Sequence, residues 1–347
     1  VAAVAFLYDR LGGAGAFGAH GGGGKVTVGG VSAGQNDFEV LIITDLDQRS
    51  KEADGKKYMS VVREGLLTRD PETNKYAVTW GRERQLHSGH NEAGRGMELS
   101  ELVNFHGHLM TLDDRTGILF EIVRGDGEED EDGEWRMAPR HIFAEGDGSV
   151  DKGMKFEWAT VRNGELVMGS FGKEYTNSEG AIISTNNNWV IFMDEHGSIR
   201  REDWTERYNK IRAALGASFP GYVIHESGSW SEPLNKWVFL PRRVSPDPYD
   251  DEKDELMGSN KIILADPAFV NVEVRDVGIV TPERGFSTFK FVPGTGDEVV
   301  FALKSAEFSK TGAQTSFATV FTIDGQVLMD ETEIPGGYKY EGLEIFL

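Results

Sequence analysis

Five oxygen-bearing residues recur at comparable intervals, each near the start of a segment with the pattern of a β-hairpin. They are Ser100, Glu157, Glu226, Ser287 and Glu341, separated by 57, 69, 61 and 54 residues. Carboxylate, hydroxyl and carbonyl oxygens suit calcium, which takes about six to eight such ligands. Zinc is disfavoured because the sequence has no cysteine and no suitable histidine cluster. The sequence therefore predicts a calcium site if the fold brings these five residues together.

A second group of charged residues lies where the return strand of each hairpin ends. Its members are Asp45, Asp47, Asp113, Asp114, Arg115, Lys173, Glu174, Arg242, Arg243 and Lys304. A carboxylate can orient or deprotonate an attacking water, and arginine and lysine bind phosphate oxygens. Beside a metal, this combination is suited to hydrolysis of a phosphoanhydride. Salt bridges at the rim of the fold explain the same residues equally well at this point.

Short β-branched and aromatic runs, broken by Gly, Asp and Asn, predict an all-β fold from Asp37 onward. The last strand, Lys339–Phe346, has no return strand after it, whereas Phe38–Asp47 near the other end has the matching pattern. Pairing these two segments would close a ring of five hairpins and remove two exposed edges. The remaining four hairpins are Glu98–Asp114, Phe156–Gly172, Glu226–Arg243 and Ser287–Lys304.

We therefore predict a five-bladed β-propeller over residues 36–347, with its last blade shared between the chain ends. The first strand of each blade lines the central channel, so equivalent positions on five first strands form one ring. A single helix is predicted at Arg201–Leu215 from apolar residues at helical spacing. Residues 1–35 hold 11 of the 43 glycines and are predicted to be a flexible leader or the remnant of an anchor.

Composition excludes several classes of protein. A net charge of −21 argues against binding to nucleic acid, which needs concentrated lysine and arginine. No stretch reaches the roughly 18 apolar residues of a membrane span. The absence of cysteine excludes disulfides and thiolate chemistry.

Taken together, the motifs resemble those of the calcium-activated nucleotidase (apyrase) family, from about residue 37 to the end of the chain. The segments that carry the resemblance are GRGMELSELV (94–103), DDRTG (113–117), DKGMKFEW (151–158), GKEY (172–175), PGYVIHES (220–227), WVFLPRRVS (237–245), GFSTFKF (285–291) and KYEGLEI (339–345). The resemblance implies a five-bladed propeller with central calcium and calcium-dependent hydrolysis of nucleoside di- or triphosphates, releasing orthophosphate.

The resemblance also implies roles for individual residues. The family's calcium positions fall on the five residues already grouped by spacing. Its active-site positions fall on Asp45, Asp47, Asp114 and Arg115, and on Arg242 of the LPRR motif. Lys173, Arg243 and Lys304 are expected to join Arg242 in holding phosphate oxygens. A nucleotide substrate, a monomer or homodimer, and a location in the secretory pathway or outside the cell are further expectations.

Two alternatives stay open on the sequence. One is a catalytically inactive, calcium-stabilised propeller that acts as a binding scaffold, because propellers serve many functions. The other is a different calcium-dependent propeller hydrolase, such as a lactonase, which would not need cations that hold phosphate.

Overall fold

The computed structural model describes residues 27–28, 31–32, 36–124, 135–177 and 179–346. Within them, five four-stranded antiparallel sheets are arranged as the blades of a β-propeller, which confirms the predicted fold class. The predicted leader, residues 1–35, lies outside the described residues except for a short pair of strands, Thr27–Val28 and Val31–Ser32.

Each blade contributes four strands, ordered from the first strand at the axis to the outermost. Blades 1 and 2 consist of Leu99–Phe105, His108–Asp113, Ile118–Arg124 and Trp135–Ile142, and of Trp158–Arg162, Glu165–Gly169, Trp189–Met193 and Ile199–Asp203. Blades 3 and 4 consist of Gly228–Ser231, Lys236–Phe239, Lys261–Ala265 and Val272–Asp276, and of Gly285–Phe291, Val299–Phe308, Ala313–Thr322 and Val327–Ile334. Blade 5 consists of Lys339–Phe346, Asp37–Asp45, Tyr58–Arg69 and Tyr76–Ser88.

The C-terminal strand closes the propeller as predicted. Lys339–Phe346 pairs antiparallel with Asp37–Asp45, for example at Leu343 opposite Ile42. The first strands of the five blades contact one another in a closed cycle, blade 5 touching both blade 1 and blade 4. Residues distant in the sequence are thereby brought to one central axis.

Apolar side chains fill the space between neighbouring blades. Val40 and Ile42 belong to a cluster shared with blade 4, whereas Leu41 and Ile43 belong to one shared with blade 1. The side chains of a strand alternate between its two faces, and both faces of this strand are buried. This arrangement explains why the strand is a continuous apolar run instead of an alternating one.

The predicted helix is present with narrower bounds. It spans Thr205–Ala214, because Arg201 lies in the preceding strand Ile199–Asp203. Tyr208 and Ile211 of the helix pack into the apolar cluster between blades 2 and 3. None of the described helices is long and apolar enough to cross a membrane.

The connections between strands contain the remaining regular elements. They are the short helix Asp251–Asp254, the 3-10 helices Asp47–Ser50 and Asn186–Asn188, and the strand pairs Tyr175–Thr176 with Ile182–Ser184 and Tyr222–Ile224 with Arg243–Ser245.

Gly342 allows the first strands of blades 5 and 1 to approach closely. A Cβ built at this position would lie 2.5 Å from Cγ2 of Ile43 and 2.7 Å from the backbone carbon of Glu101. We expect Gly342→Ala to lower the free energy of unfolding by about 1–3 kcal/mol, because the backbone of blade 1 would have to shift. Urea denaturation measures this change. Gly89→Ala is the control, since its added methyl would meet only Lys56 O at 3.7 Å; an equal loss there would contradict the argument.

Candidate active site at the propeller hub

The five residues predicted to bind metal lie at or just before the start of a first strand, and we call them the hub residues. At Ser100, Ser287 and Glu341 the strand pairing shifts register, so that each of these residues is the extra one of a β-bulge. A bulge leaves its extra residue out of the ladder of hydrogen bonds. Glu157 directly precedes Trp158–Arg162, and Glu226 lies two residues before Gly228–Ser231.

All five hub residues are buried, with at most 9% of any of them exposed. Burial raises the pKa of Glu157 well above its ordinary value, in spite of Lys155, and the charges of Glu226 and Glu341 raise it further. Burial likewise raises the pKa of Glu341 to about 7. Three carboxylates from three different blades therefore lie close enough to repel one another.

The two serines have different environments. Ser287 Oγ donates a hydrogen bond to the backbone oxygen of Tyr340 at 2.8 Å, which ties blade 4 to blade 5. Ser100 Oγ is buried and has no hydrogen-bond partner among the described residues. A buried polar atom without a partner costs free energy, so the unpaired oxygen of Ser100 is available to a cation.

Three cations pair with the hub carboxylates; Arg242 and Lys339 are buried, whereas the Lys155 side chain is 35% exposed. Arg242 Nη1 lies 2.9 Å from Glu341 Oε1 and also contacts Glu226. Lys155 Nζ lies 2.7 Å from Glu157 Oε1. Lys339 Nζ lies 3.3 Å from Glu341 Oε1. Each hub carboxylate is thus paired with at least one cation.

Sequence reasoning identified Arg242 but missed both lysines. Lys155 and Lys339 occupy the same relative position, two residues before Glu157 and Glu341 respectively. This repeated spacing in two blades was a usable signal. Lysine two residues before a hub glutamate could have been interpreted as part of the site.

Asp45 and Asp47 lie beside Lys339. Its ammonium group is 2.6 Å from Asp45 Oδ2 and 3.1 Å from Asp47 Oδ2. The backbone N–H of Asp47 donates to Asp45 Oδ1 at 2.7 Å, so both oxygens of Asp45 are engaged. Burial raises the pKa of Asp45, whereas Lys339 and Arg95 outweigh burial and hold the pKa of Asp47 below its ordinary value.

Asp114 forms an acidic cluster with Asp45 and Glu98, in which one oxygen of each lies within 4.8 Å of the others. Lys155 binds Asp114 Oδ2, while Oδ1 is buried without a hydrogen-bond partner among the described residues. Arg95, another residue that the sequence reasoning missed, donates from Nε to Glu98 at 2.7 Å. Asp114 therefore combines a fixed position with one free acceptor oxygen.

Arg115, the fourth predicted catalytic residue, points its guanidinium group toward Glu92, at 2.6 Å, and is one-third exposed. Its backbone N–H donates to Asp113 Oδ1 at 2.9 Å. Asp113 also accepts from the backbone of Met97 and Thr116, so it orders the turn that places Asp114.

The four predicted phosphate-binding cations separate into three places. Arg242 and Arg243 line a cavity of about 250 Å³, which we call the hub cavity; its other lining residues include Lys155, Glu226, Asp254, Glu307 and Lys339. Lys173 lines a second, larger cavity. Lys304 Nζ is bound to Glu331 at 2.6 Å and lines a third cavity, together with Val277, Phe286 and Thr319.

Comparison with known proteins shows which family the chain belongs to. Residues 46–346 match the family model described as Apyrase. The chain is 40% identical over 308 residues to soluble calcium-activated nucleotidase 1 of Rattus norvegicus, covering 88% of this chain and 73% of that protein. It is 40% identical to an apyrase of Cimex lectularius, over 88% of this chain and 82% of the other. It is 37% identical to an apyrase of Caenorhabditis elegans, over 89% and 84%. The chain therefore belongs to the apyrase family of nucleotide phosphoanhydride hydrolases.

Proposed function

We propose that this protein hydrolyses nucleoside di- and triphosphates in a calcium-dependent reaction that releases orthophosphate. The observation that carries the proposal is the convergence, at one buried hub, of three glutamates, three cations and the free Oδ1 of Asp114. The similarity to calcium-activated nucleotidase supports calcium as the metal.

The hub residues fit calcium in the chemistry of their donors. They offer only oxygen, and Ser100 Oγ is a buried acceptor with no protein partner among the described residues. The bulges at Ser100, Ser287 and Glu341 also leave the backbone groups of these residues outside the hydrogen-bond ladder between the strands. In this proposal Ser100, Glu157, Glu226, Ser287 and Glu341 hold the ion. When bound, calcium would supply positive charge that neutralises phosphoryl oxygens.

Arg242, Lys155 and Lys339 are proposed to hold the phosphate groups. All three line the hub cavity; Arg242 and Lys339 are buried, and the Lys155 side chain is 35% exposed. A guanidinium group can bind two phosphate oxygens at once, whereas an ammonium group acts as a point charge. Because the chain carries a net charge of −21, local cations are needed to attract a polyphosphate.

Asp114 is proposed to orient the attacking water. Its Oδ1 is free to accept a proton from that water, while Lys155 fixes Oδ2. The water oxygen would bond to the terminal phosphorus as the bond to the bridging oxygen breaks, and the proton would pass to Oδ1 and then to solvent. Asp45 has both oxygens engaged, so its proposed role is to position Lys339.

An inactive scaffold would need the hub residues alone. The cations paired with the hub glutamates and the acidic cluster around Asp114 favour hydrolysis. Burying such charges lowers the stability of the fold, and a binding scaffold would not need them. The proposal also includes action in the secretory pathway or outside the cell, as expected from the family. The proposal is compatible with a monomer and with a homodimer.

Glu157→Gln tests the calcium site. We expect the calcium concentration at half-maximal activity to rise about tenfold or more, because a carboxylate ligand is lost. The measurement is phosphate release from UDP, GDP, ADP and ATP over a calcium titration, with magnesium and a chelator as references. Glu165→Gln, on the next strand of the same blade and paired with the exposed Arg200, is the control. An unchanged calcium dependence in Glu157→Gln would reject the site assignment, and no phosphate release by the wild type would reject the function.

A further inference from the structure

Glu101 is a buried carboxylate that the proposed reaction does not use. It directly follows the hub residue Ser100, and only 1% of it is exposed. Its Oε1 accepts hydrogen bonds from the backbone N–H of Leu102 at 2.9 Å and from Thr288 Oγ1 at 3.0 Å. Lys290 Nζ lies 3.3 Å from the same oxygen. A buried carboxylate is costly unless it is paired and hydrogen-bonded, and Glu101 meets both conditions.

The partners of Glu101 include residues on the first strands of two other blades. Thr288 and Lys290 lie on the first strand of blade 4, Gly285–Phe291. The backbone N–H of Leu343, on the first strand of blade 5, also donates to Glu101 Oε1, at 3.4 Å. One carboxylate of blade 1 therefore joins blade 4 and the strand of blade 5 that closes the propeller.

Each of the three joined strands carries a hub residue one or two positions before its contact with this network. These pairs are Ser100 with Glu101, Ser287 with Thr288, and Glu341 with Leu343. The three hub residues are also the extra residues of β-bulges, which the hydrogen-bond ladder of the blade does not hold. Their positions therefore depend on what fixes the strand just beyond each bulge, and Glu101 links these three points.

The carboxylate of Glu101 is itself engaged by the protein. The four donors around Oε1 exceed the two lone pairs of a carboxylate oxygen. Oε2 lies 3.3 Å from the Thr288 hydroxyl. Both oxygens thus have protein partners, in contrast to the unpaired Oγ of Ser100. Glu101 is therefore suited to acting on the hub residues and not to binding a metal.

We propose that Glu101 is a positioning residue for the calcium site. By joining blades 1, 4 and 5 beside the hub, it holds Ser100, Ser287 and Glu341 at the mutual distances that a single ion requires. Partners that orient metal ligands from outside commonly matter, and their loss lowers metal affinity about 10- to 100-fold. This inference rests on the proposed function, because it takes these three hub residues as calcium ligands.

The test is calcium titration by calorimetry in the absence of nucleotide. Glu101→Met removes both acceptor oxygens at similar size, and we expect the dissociation constant of calcium to rise about tenfold or more. Thr288→Val removes the hydroxyl that donates from blade 4, and it should raise the constant severalfold. Glu101→Gln keeps an amide oxygen that can accept the same hydrogen bonds, so its constant should stay within about threefold of the wild-type value.

Ser231→Ala is the matched control. Ser231 Oγ donates to Asp297 Oδ2 at 2.8 Å and so links blade 3 to blade 4, just as Glu101 links its blades. Ser231 is the last residue of its strand, at the end away from the hub residue Glu226. Removing its hydroxyl should lower the melting temperature and leave calcium affinity unchanged.

Three outcomes overturn the inference. Unchanged calcium affinity in Glu101→Met, with folding verified by circular dichroism, would show that the hub residues keep their places without Glu101. An equal loss of affinity in Glu101→Gln would show that Glu101 acts through its charge, and an equal loss in Ser231→Ala would indicate general loosening of the blades. If Glu101→Met does not fold, unchanged affinity in Thr288→Val decides against the inference instead.

The same titration separates this inference from the proposed function. Calcium binding that is weakened in Glu157→Gln but not in Glu101→Met would overturn the role of Glu101 alone. A wild type that binds no calcium would count against the proposed calcium site as well.

Discussion

Asp114→Asn is expected to lower kcat by about 10²–10⁴-fold with a small change in KM. An asparagine keeps the size of the side chain and its contact with Lys155, but it cannot accept a proton from the attacking water. The phosphate-binding cations remain in place, so substrate affinity should change little. A loss in kcat alone indicates an interaction made in the transition state. The measurement is steady-state phosphate release at saturating calcium.

Asp276→Asn provides the matched control for this variant. Asp276 lies on the outermost strand of blade 3, 61% exposed, where it pairs with Lys261. The same substitution there should leave kcat unchanged. Activity of Asp114→Asn within a few-fold of the wild type would show that another group orients the water, and Asp45 and Asp47 would then be tested in the same way.

The blades and the hub residues could be predicted from the sequence because they follow from strictly local patterns. Each hairpin has its own turn and its own apolar run, and closure follows from the unpaired Lys339–Phe346 strand. Equivalent positions in repeated units meet at the axis whatever the loops between them contain. Spacing alone therefore assigns Ser100 and Glu341 to equivalent positions, and each is the bulge residue near the start of its first strand, although 241 residues separate them.

The position of Lys304 shows why counting residues along the sequence does not predict on which face of a strand a side chain lies. Lys304 pairs opposite Phe286, as Asp113 pairs opposite Leu99, whereas Asp114 lies one residue further along. A shift of one residue moves a side chain to the other face of a strand. Lys304 therefore reaches Glu331 on the outer strand of its own blade instead of the hub cavity. Bulges and turn lengths decide this register, and the sequence does not display them.

The directions in which side chains at the rim point could not be predicted from the sequence either. Arg115 follows Asp114 directly, yet its guanidinium group pairs with Glu92. Lys173 lies four residues beyond Gly169, where the return strand of blade 2 ends, and its ammonium group lies over Tyr249, which belongs to the distant loop before Asp251–Asp254. Each side-chain direction depends on a contact with a loop that the local sequence pattern does not specify.

Arg242→Gln is expected to change calcium affinity and phosphate affinity in opposite directions. Arg242 Nη1 contacts oxygens of both Glu226 and Glu341, two of the proposed calcium ligands. One carboxylate oxygen cannot serve a guanidinium group and a calcium ion equally well, so removing the guanidinium removes a competitor. We expect calcium to bind several-fold more tightly and KM for nucleoside diphosphates to rise about 10- to 100-fold, because charge-assisted hydrogen bonds to phosphate are lost.

Calcium titration by calorimetry without nucleotide, and KM at saturating calcium, measure the two effects separately. Arg284→Gln is the control, since Arg284 pairs with Glu331 at 2.8 Å outside the hub cavity and should change neither quantity. Weaker calcium binding in Arg242→Gln would mean that Arg242 supports the metal site instead of competing with it. The opposite signs expected for Glu157→Gln and Arg242→Gln also separate a calcium ligand from a neighbouring cation, because general destabilisation of the hub would weaken calcium binding in both variants.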